Sequence, residues 1–179
     1  MIRIVLLGDT LSGKTTLFDT LLYNKMYDSF CTTVSPTFAI YSEKYIFYDT
    51  PGQERWKMFS KRYIEIADAA IIMFDVEEGR NGVEKWKSHV RNINRKKIPT
   101  LLVANVRNKI LVKNEPGVLY INCREQAQVR SKLQPFLASL QPTPKISIGW
   151  VDYVLLLFPT AEDVVDRIPN FEVPECLQQ

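Results

Sequence analysis

The chain has 179 residues, 46% of them hydrophobic and 24% charged, which is enough apolar content for one globular domain with a sizeable core. Its 23 basic residues against 20 acidic leave a net charge of +3, too balanced for a nucleic-acid binder, and no long block of like charge occurs. Cys31, Cys123 and Cys176 are too few and too scattered for a disulfide framework or a zinc site, which fits a reducing cytoplasm. No charged n-region or small-residue cleavage site precedes the first apolar run, so a signal peptide is not expected. The longest apolar run, residues 154–158, is too short to span a bilayer.

In chain order, residues 2–7 read as a buried strand, followed by a glycine-bounded loop and a helix over 14–23. Residues 38–41 and 45–48 are short strands around Ser42-Glu43-Lys44, a tight hairpin. A helix is expected over 54–66, a strand over 69–76, and a helix over 82–95 with Val83, Trp86, Val90 and Ile93 on one face. Trp86 and its stripe are core packing, and Arg95-Lys96-Lys97 closes that helix, where cations suit its dipole. Strands over 100–104 and 118–122 come next, then a helix over 125–134 that Pro135 should end or kink. Fully apolar strands alternating with helices imply an α/β fold, a mostly parallel sheet with helices on both faces. Gln141-Pro142-Thr143-Pro144 breaks the chain. Residues 1–140 then form the main domain, and residues 141–179, too few for a core of their own, are expected to pack back on it.

Two stretches carry chemistry. GDTLSGKTT, Gly8 to Thr16, fits G-x-x-x-x-G-K-[ST] between a strand and a helix. Glycines let backbone N–H groups curl around phosphate oxygens, the helix N-terminus adds a favourable dipole, Lys14 brings a positive charge and Thr15 a hydroxyl for Mg²⁺. The second is YDTPGQERW, Tyr48 to Trp56, at the end of the third strand. Asp49 there suits a water-mediated Mg²⁺ role, the Gly52 N–H can approach a terminal phosphate, and Gln53 can orient an attacking water.

In this order and on these elements, the two motifs resemble the Ras superfamily of small GTPases. YDTPGQERW followed by RYIEIADAAIIMFDV is most similar to its Rab branch, over residues 1 to about 140. The resemblance implies a P-loop G domain that binds GTP or GDP, or another purine or pyrimidine nucleotide, with Mg²⁺. Gly8, Ser12, Gly13, Lys14, Thr15 and Thr16 would cradle phosphates, with Thr15, Thr33 and Asp49 toward the metal. Lys14, Thr33 and Gln53 would act in hydrolysis, and Gly52 would meet the γ-phosphate. Thr32 and Thr37 are competing registers for Thr33. Partners would be the nucleotide and regulatory or effector proteins of small-GTPase type.

The base-reading motifs depart from the family. Asn-Lys-x-Asp becomes Asn105-Val106-Arg107-Asn108, and Ser-Ala-Lys becomes Asn122-Cys123-Arg124, in which the Cys123 N–H can still serve. Asn108 would present an amide where the family aspartate accepts two hydrogen bonds from guanine. Sixteen residues between Asn105 and Asn122 leave little room for the usual helix, and the hairpin over 38–48 is short. Met26 replaces an aromatic that stacks on the base, with Tyr27 and Phe30 as substitutes. Cys176 lies four residues from the end, but Gln178 and the acidic upstream sequence argue against prenylation, so membrane association is not expected. The leading expectation is a slow Rab-like switch with relaxed base specificity. Its rival is a pseudo-GTPase that presents a Rab-like surface without regulated turnover. A small-molecule kinase would need an arginine-rich lid, which the sequence lacks.

Overall fold

A computed structural model describes residues 1–24, 33, 35–52, 57–80, 82–107 and 115–141, all within one compact unit, Met1–Thr143. Ten elements follow one another: β1 (Ile2–Gly8), α1 (Lys14–Tyr23), β2 (Thr37–Tyr41), β3 (Tyr45–Asp49), α2 (Lys57–Ile66), β4 (Ala69–Asp75), α3 (Val83–Ile93), β5 (Thr100–Asn105), β6 (Val118–Ile121) and α4 (Gln126–Ser139). The strands make one six-stranded sheet in the order β2-β3-β1-β4-β5-β6, parallel except for β2.

The central strands are continuously apolar because both faces are covered: every residue of β4 is buried, as are Ile4 to Leu7 of β1. On one face Ile4 and Leu6 pack with Leu17, Phe18 and Leu21 of α1 and Val129, Leu133 and Leu137 of α4. Helices α2 and α3 touch each other and β1. Strand β2, at the edge, is half exposed and joins β3 through a turn in which Ser42 and Glu43 take left-handed φ values of 52° and 56°, as tight hairpins require.

Strand order reverses between β1 and β4, because the chain leaves β1 for β2 and β3 on one side and returns to β4 on the other. In open α/β sheets, ligands bind in the crevice at the carboxyl ends of the strands beside such a reversal. Gly8, Asp49, Asp75 and Asn105 end four adjacent strands there.

Two expectations need correction. Pro135 does not end α4, which continues to Ser139. Leu133 and Leu137 on either side are buried, and the Tyr45 hydroxyl donates to the Leu137 carbonyl at 3.0 Å, so tertiary packing outweighs the lost backbone donor. Helix α3 ends at Ile93, before the basic run. The buried Asn94 amide there donates to the Ile64 and Ala67 carbonyls at 2.6 and 3.0 Å, tying the helix end to the end of α2. Trp86 is core packing and more, as described below. Residues 54–56, which open the expected helix over 54–66, lie outside the described residues, as do those beyond Gln141. No helix among the described residues is long and apolar enough to cross a membrane.

Candidate functional site

The loop between β1 and α1 is built around Lys14. Its ammonium donates to the Gly8 carbonyl at 2.9 Å, the Asp9 carbonyl at 2.7 Å and the Ser12 hydroxyl at 3.3 Å. The chain therefore curls around the side chain, and the Ser12 N–H donates to the same Asp9 carbonyl at 3.3 Å. Burial lowers the Lys14 pKa to about 8, against the raising pull of Asp49 and Asp9. A buried cation that desolvation works to discharge is poised for an anion. Gly13, the N-cap of α1, has φ 95°, and a Cβ there would come within 2.5 Å of the Asn105 amide nitrogen. Only glycine lets strand β5 approach the loop this closely.

Beside Lys14, the Thr15 hydroxyl donates to Asp49 Oδ2 at 2.7 Å and lies 2.7 Å from the Thr33 hydroxyl. Thr37, one of the competing registers, lies in β2, and Thr32 is outside the described residues. Burial raises the Asp49 pKa to about 6, more than the Thr15 hydrogen bond and the Lys14 charge lower it. Asp49 Oδ1 is buried and accepts no hydrogen bond among the described residues. Two hydroxyls and an under-satisfied carboxylate form an all-oxygen donor set, the kind that suits Mg²⁺. No cluster of three or more His, Cys, Asp or Glu side chains able to hold a metal occurs among the described residues. Mg²⁺ shared with phosphates needs no such protein cage. Gly52 closes the site: a Cβ there would stand 2.6 Å from the Asp9 carbonyl carbon and the Thr10 nitrogen, so its backbone rests on the phosphate loop.

At the far end the expected base readers are partly engaged with each other. The buried Asn105 amide points to Asp75 Oδ2 at 3.4 Å, and Asn105 Oδ1 accepts from the Cys123 N–H, also at 3.4 Å. Burial pushes the Cys123 thiol well above its usual range, so it stays protonated. The Arg124 N–H donates to Asn122 Oδ1 at 3.1 Å. Asn105, Arg107, Asn122 and Arg124 line one cleft with Lys14, Thr15, Thr16, Thr33 and Gly52, so phosphate and base ends share a single pocket. Gln53 and Asn108 lie outside the described residues, as do Met26, Tyr27 and Phe30.

Two relationships were not read from the sequence. The Trp86 indole N–H donates to Asp9 Oδ1 at 2.8 Å, docking α3 onto the phosphate loop. Arg107 Nε lies 2.6 Å from Asp75 Oδ2, and its Nη2 donates to the Leu11 carbonyl at 2.5 Å. Leu11 has φ 63°, a left-handed conformation that costs a non-glycine residue roughly 1–2 kcal/mol. Asp75 carried a usable signal: it is an acidic residue at the carboxyl end of an otherwise apolar strand, beside the crevice.

A family model described as "Roc: Ras of Complex, Roc, domain of DAPkinase" matches residues 3–109, more than half of the chain. The GTP-binding protein ypt5 of Schizosaccharomyces pombe is 30% identical over 116 residues, covering 60% of this chain and 54% of that protein. The Ras-related protein Rab-22A of Mus musculus is 30% identical over 121 residues, covering 60% and 59% respectively. The putative ras-related protein Rab-5B of Dictyostelium discoideum is 29% identical over 119 residues, covering 63% and 55%. The aligned part thus spans little more than half the length of these relatives. The family match runs from β1 past the end of β5 and takes in the phosphate loop, Thr33, Asp49 and Gly52. The chain belongs to the Ras superfamily of small GTPases and is Rab-like within it.

Proposed function

We propose that this protein binds a Mg²⁺-nucleoside triphosphate, hydrolyses it slowly and acts as a two-state switch that reads the base only weakly. The observation that carries the reading is the meeting of Thr15, Thr33 and Asp49 beside the buried Lys14. Thr33 precedes β2 and reaches the phosphate-loop side of the site, so a ligand there holds a segment that its loss would release. Bound Mg²⁺ would neutralise charge on the outer phosphates. Lys14 would donate to those phosphates, the hydroxyls of Thr15 and Thr33 and the Asp49 carboxylate would face the cation, and the Gly52 N–H would meet the terminal phosphate. Gln53 would orient the attacking water. The sequence shows no arginine at a position recognisable as supplying charge in cis, which fits a slow intrinsic rate. Regulators and effectors of small-GTPase type would read the resulting loop states.

The base end favours weak reading. Val106 has replaced the lysine of the family motif, Asn108 offers guanine one acceptor where an aspartate offers two, and Arg107 is held by Asp75 and Leu11. The loss is on the order of 2–5 kcal/mol of guanine-specific binding. The same changes favour the second reading, a nucleotide-binding pseudo-GTPase that presents a Rab-like surface without regulated turnover. Nucleotide released from the purified protein and identified by mass spectrometry, with competition among GTP, ATP, UTP, CTP and XTP, tests the proposal. GTP is expected to lead by no more than about tenfold, a margin of roughly 1.4 kcal/mol. Absence of any triphosphate binding would overturn it, and a hundredfold GTP preference would overturn the weak base reading.

A further inference from the structure

Arg107 lines the cleft where a base would sit, and two of its polar contacts run away from that end. Its Nε meets Asp75 Oδ2 at 2.6 Å, and its Nη2 reaches back across 96 residues to the Leu11 carbonyl at 2.5 Å. Asp75 is itself fixed: its side chain is 2% exposed, its Oδ1 accepts the Glu77 N–H at 2.9 Å, and Oδ2 is shared with the Asn105 amide. The guanidinium is thus anchored on the rigid ends of β4 and β5, and the element it grips is the phosphate loop. The point of grip is the strained residue. Leu11 is a leucine at φ 63°, half exposed, and little side-chain packing holds it there. Such conformations persist only where the surroundings enforce them.

We propose that Asp75 and Arg107 form a clasp that holds Leu11 in its left-handed conformation and so presets the phosphate loop for a polyphosphate. Arg107 is then a positioning residue for the phosphates and not a reader of the base. The planar fork matters: one edge lies on the carboxylate while another N–H reaches the carbonyl, which a lysine ammonium cannot reproduce in the same geometry. The clasp compensates at the phosphate end for what the altered base motif gives up, since it strengthens binding of any nucleoside triphosphate alike. It rests on the nucleotide-binding reading above.

The two ideas separate in one experiment on the full chain. GTP, ATP, UTP and XTP compete, in Mg²⁺, against a fluorescent GTP analogue on the nucleotide-stripped protein. Arg107→Ala is expected to lower affinity for all four by the same factor, on the order of tenfold, the scale of one strained residue. Arg107→Lys should lose nearly as much. Adding Leu11→Gly to Arg107→Ala should recover most of the loss, because glycine takes a left-handed φ without being held. A purely structural role for Arg107 would not be rescued there. Thermal unfolding without nucleotide identifies a variant that fails to fold, and Arg107→Gln then carries the same comparison. Unchanged affinity, a loss confined to one base, or no recovery by Leu11→Gly each overturns the clasp. A parent chain that binds none of the four overturns the nucleotide reading and the clasp with it.

Discussion

Thr15 and Asp49 lie 34 residues apart in the chain and meet at 2.7 Å, the threonine hydroxyl donating to the carboxylate. Burial holds the Asp49 pKa at about 6 in the ligand-free fold, above the usual carboxylate range. Below about pH 6 the free protein therefore carries a proton that a cation must displace, and lowering the pH opposes metal binding. The Mg²⁺-dependent part of nucleotide affinity should fall by up to about tenfold per pH unit below that point. Asp49→Asn should flatten the profile. Titrations with Mg²⁺ and with EDTA between pH 5 and 7.5 measure it, and a flat profile in the parent would remove Asp49 from the cation site. For stability the sign is separate: a raised carboxyl pKa favours the ligand-free fold most at low pH, and that contribution is lost as pH rises through about 6.

Replacing Lys14 by alanine should reduce nucleotide affinity by at least about a hundredfold, because it removes a charge-assisted contact worth about 1.5–3 kcal/mol per hydrogen bond. The strand, loop and helix around it should persist, since the core of β1 and α1 lies in Ile4, Leu6, Leu17 and Leu21. Fluorescence titration beside a thermal melt checks both halves. Equal affinity in mutant and parent would mean that the loop is not a phosphate site.

At the opposite end of the sheet, Arg3 donates from its N–H and Nε to Asp68 Oδ2, both at 2.9 Å, and from Nη2 to Oδ1 at 2.9 Å. The two side chains are 16% and 2% exposed. Removing one partner of such a pair leaves a buried charge uncompensated, so Asp68→Ala should cost about 3–5 kcal/mol in urea unfolding. The double replacement Arg3→Met with Asp68→Leu should cost much less than the two single changes added together. Nucleotide affinity at a temperature where the variants stay folded should be untouched, because the pair sits at the strand ends remote from the cleft.

Gln53→Leu should slow single-turnover hydrolysis at saturating nucleotide by about an order of magnitude or more while leaving affinity unchanged, since the amide acts on the attacking water. An unchanged rate would move weight to the pseudo-GTPase reading.

Much of the fold is legible in the sequence. The helix expected over 14–23 after a glycine-bounded loop matches α1, which the structure ends at a left-handed Asn24. The central strands were legible because burial on both faces makes them continuously apolar. What the sequence did not disclose depends on where three or more elements converge. Trp86 shows in the sequence as one member of an apolar stripe, and nothing local says that its N–H meets Asp9. The role of Arg107 needs β4, β5 and the phosphate loop in register, with a left-handed leucine that no local pattern betrays. Pro135, expected to end or kink α4, does not end it, because Leu133 and Leu137 are buried on either side of it.

The cleft gathers two groups that burial disfavours in their charged forms. It keeps an ammonium among its own loop carbonyls and, in the same site, a carboxylate that burial pushes toward protonation. If a magnesium nucleotide binds as proposed, it cancels both debts together, and its departure restores both. Exchange of one nucleotide for another would then pass through an intermediate that the fold itself penalises, and the resting lifetime of either bound form would be long. An outside protein would shorten it most effectively by offering an anionic group to Lys14 and a basic one to Asp49 in the interval.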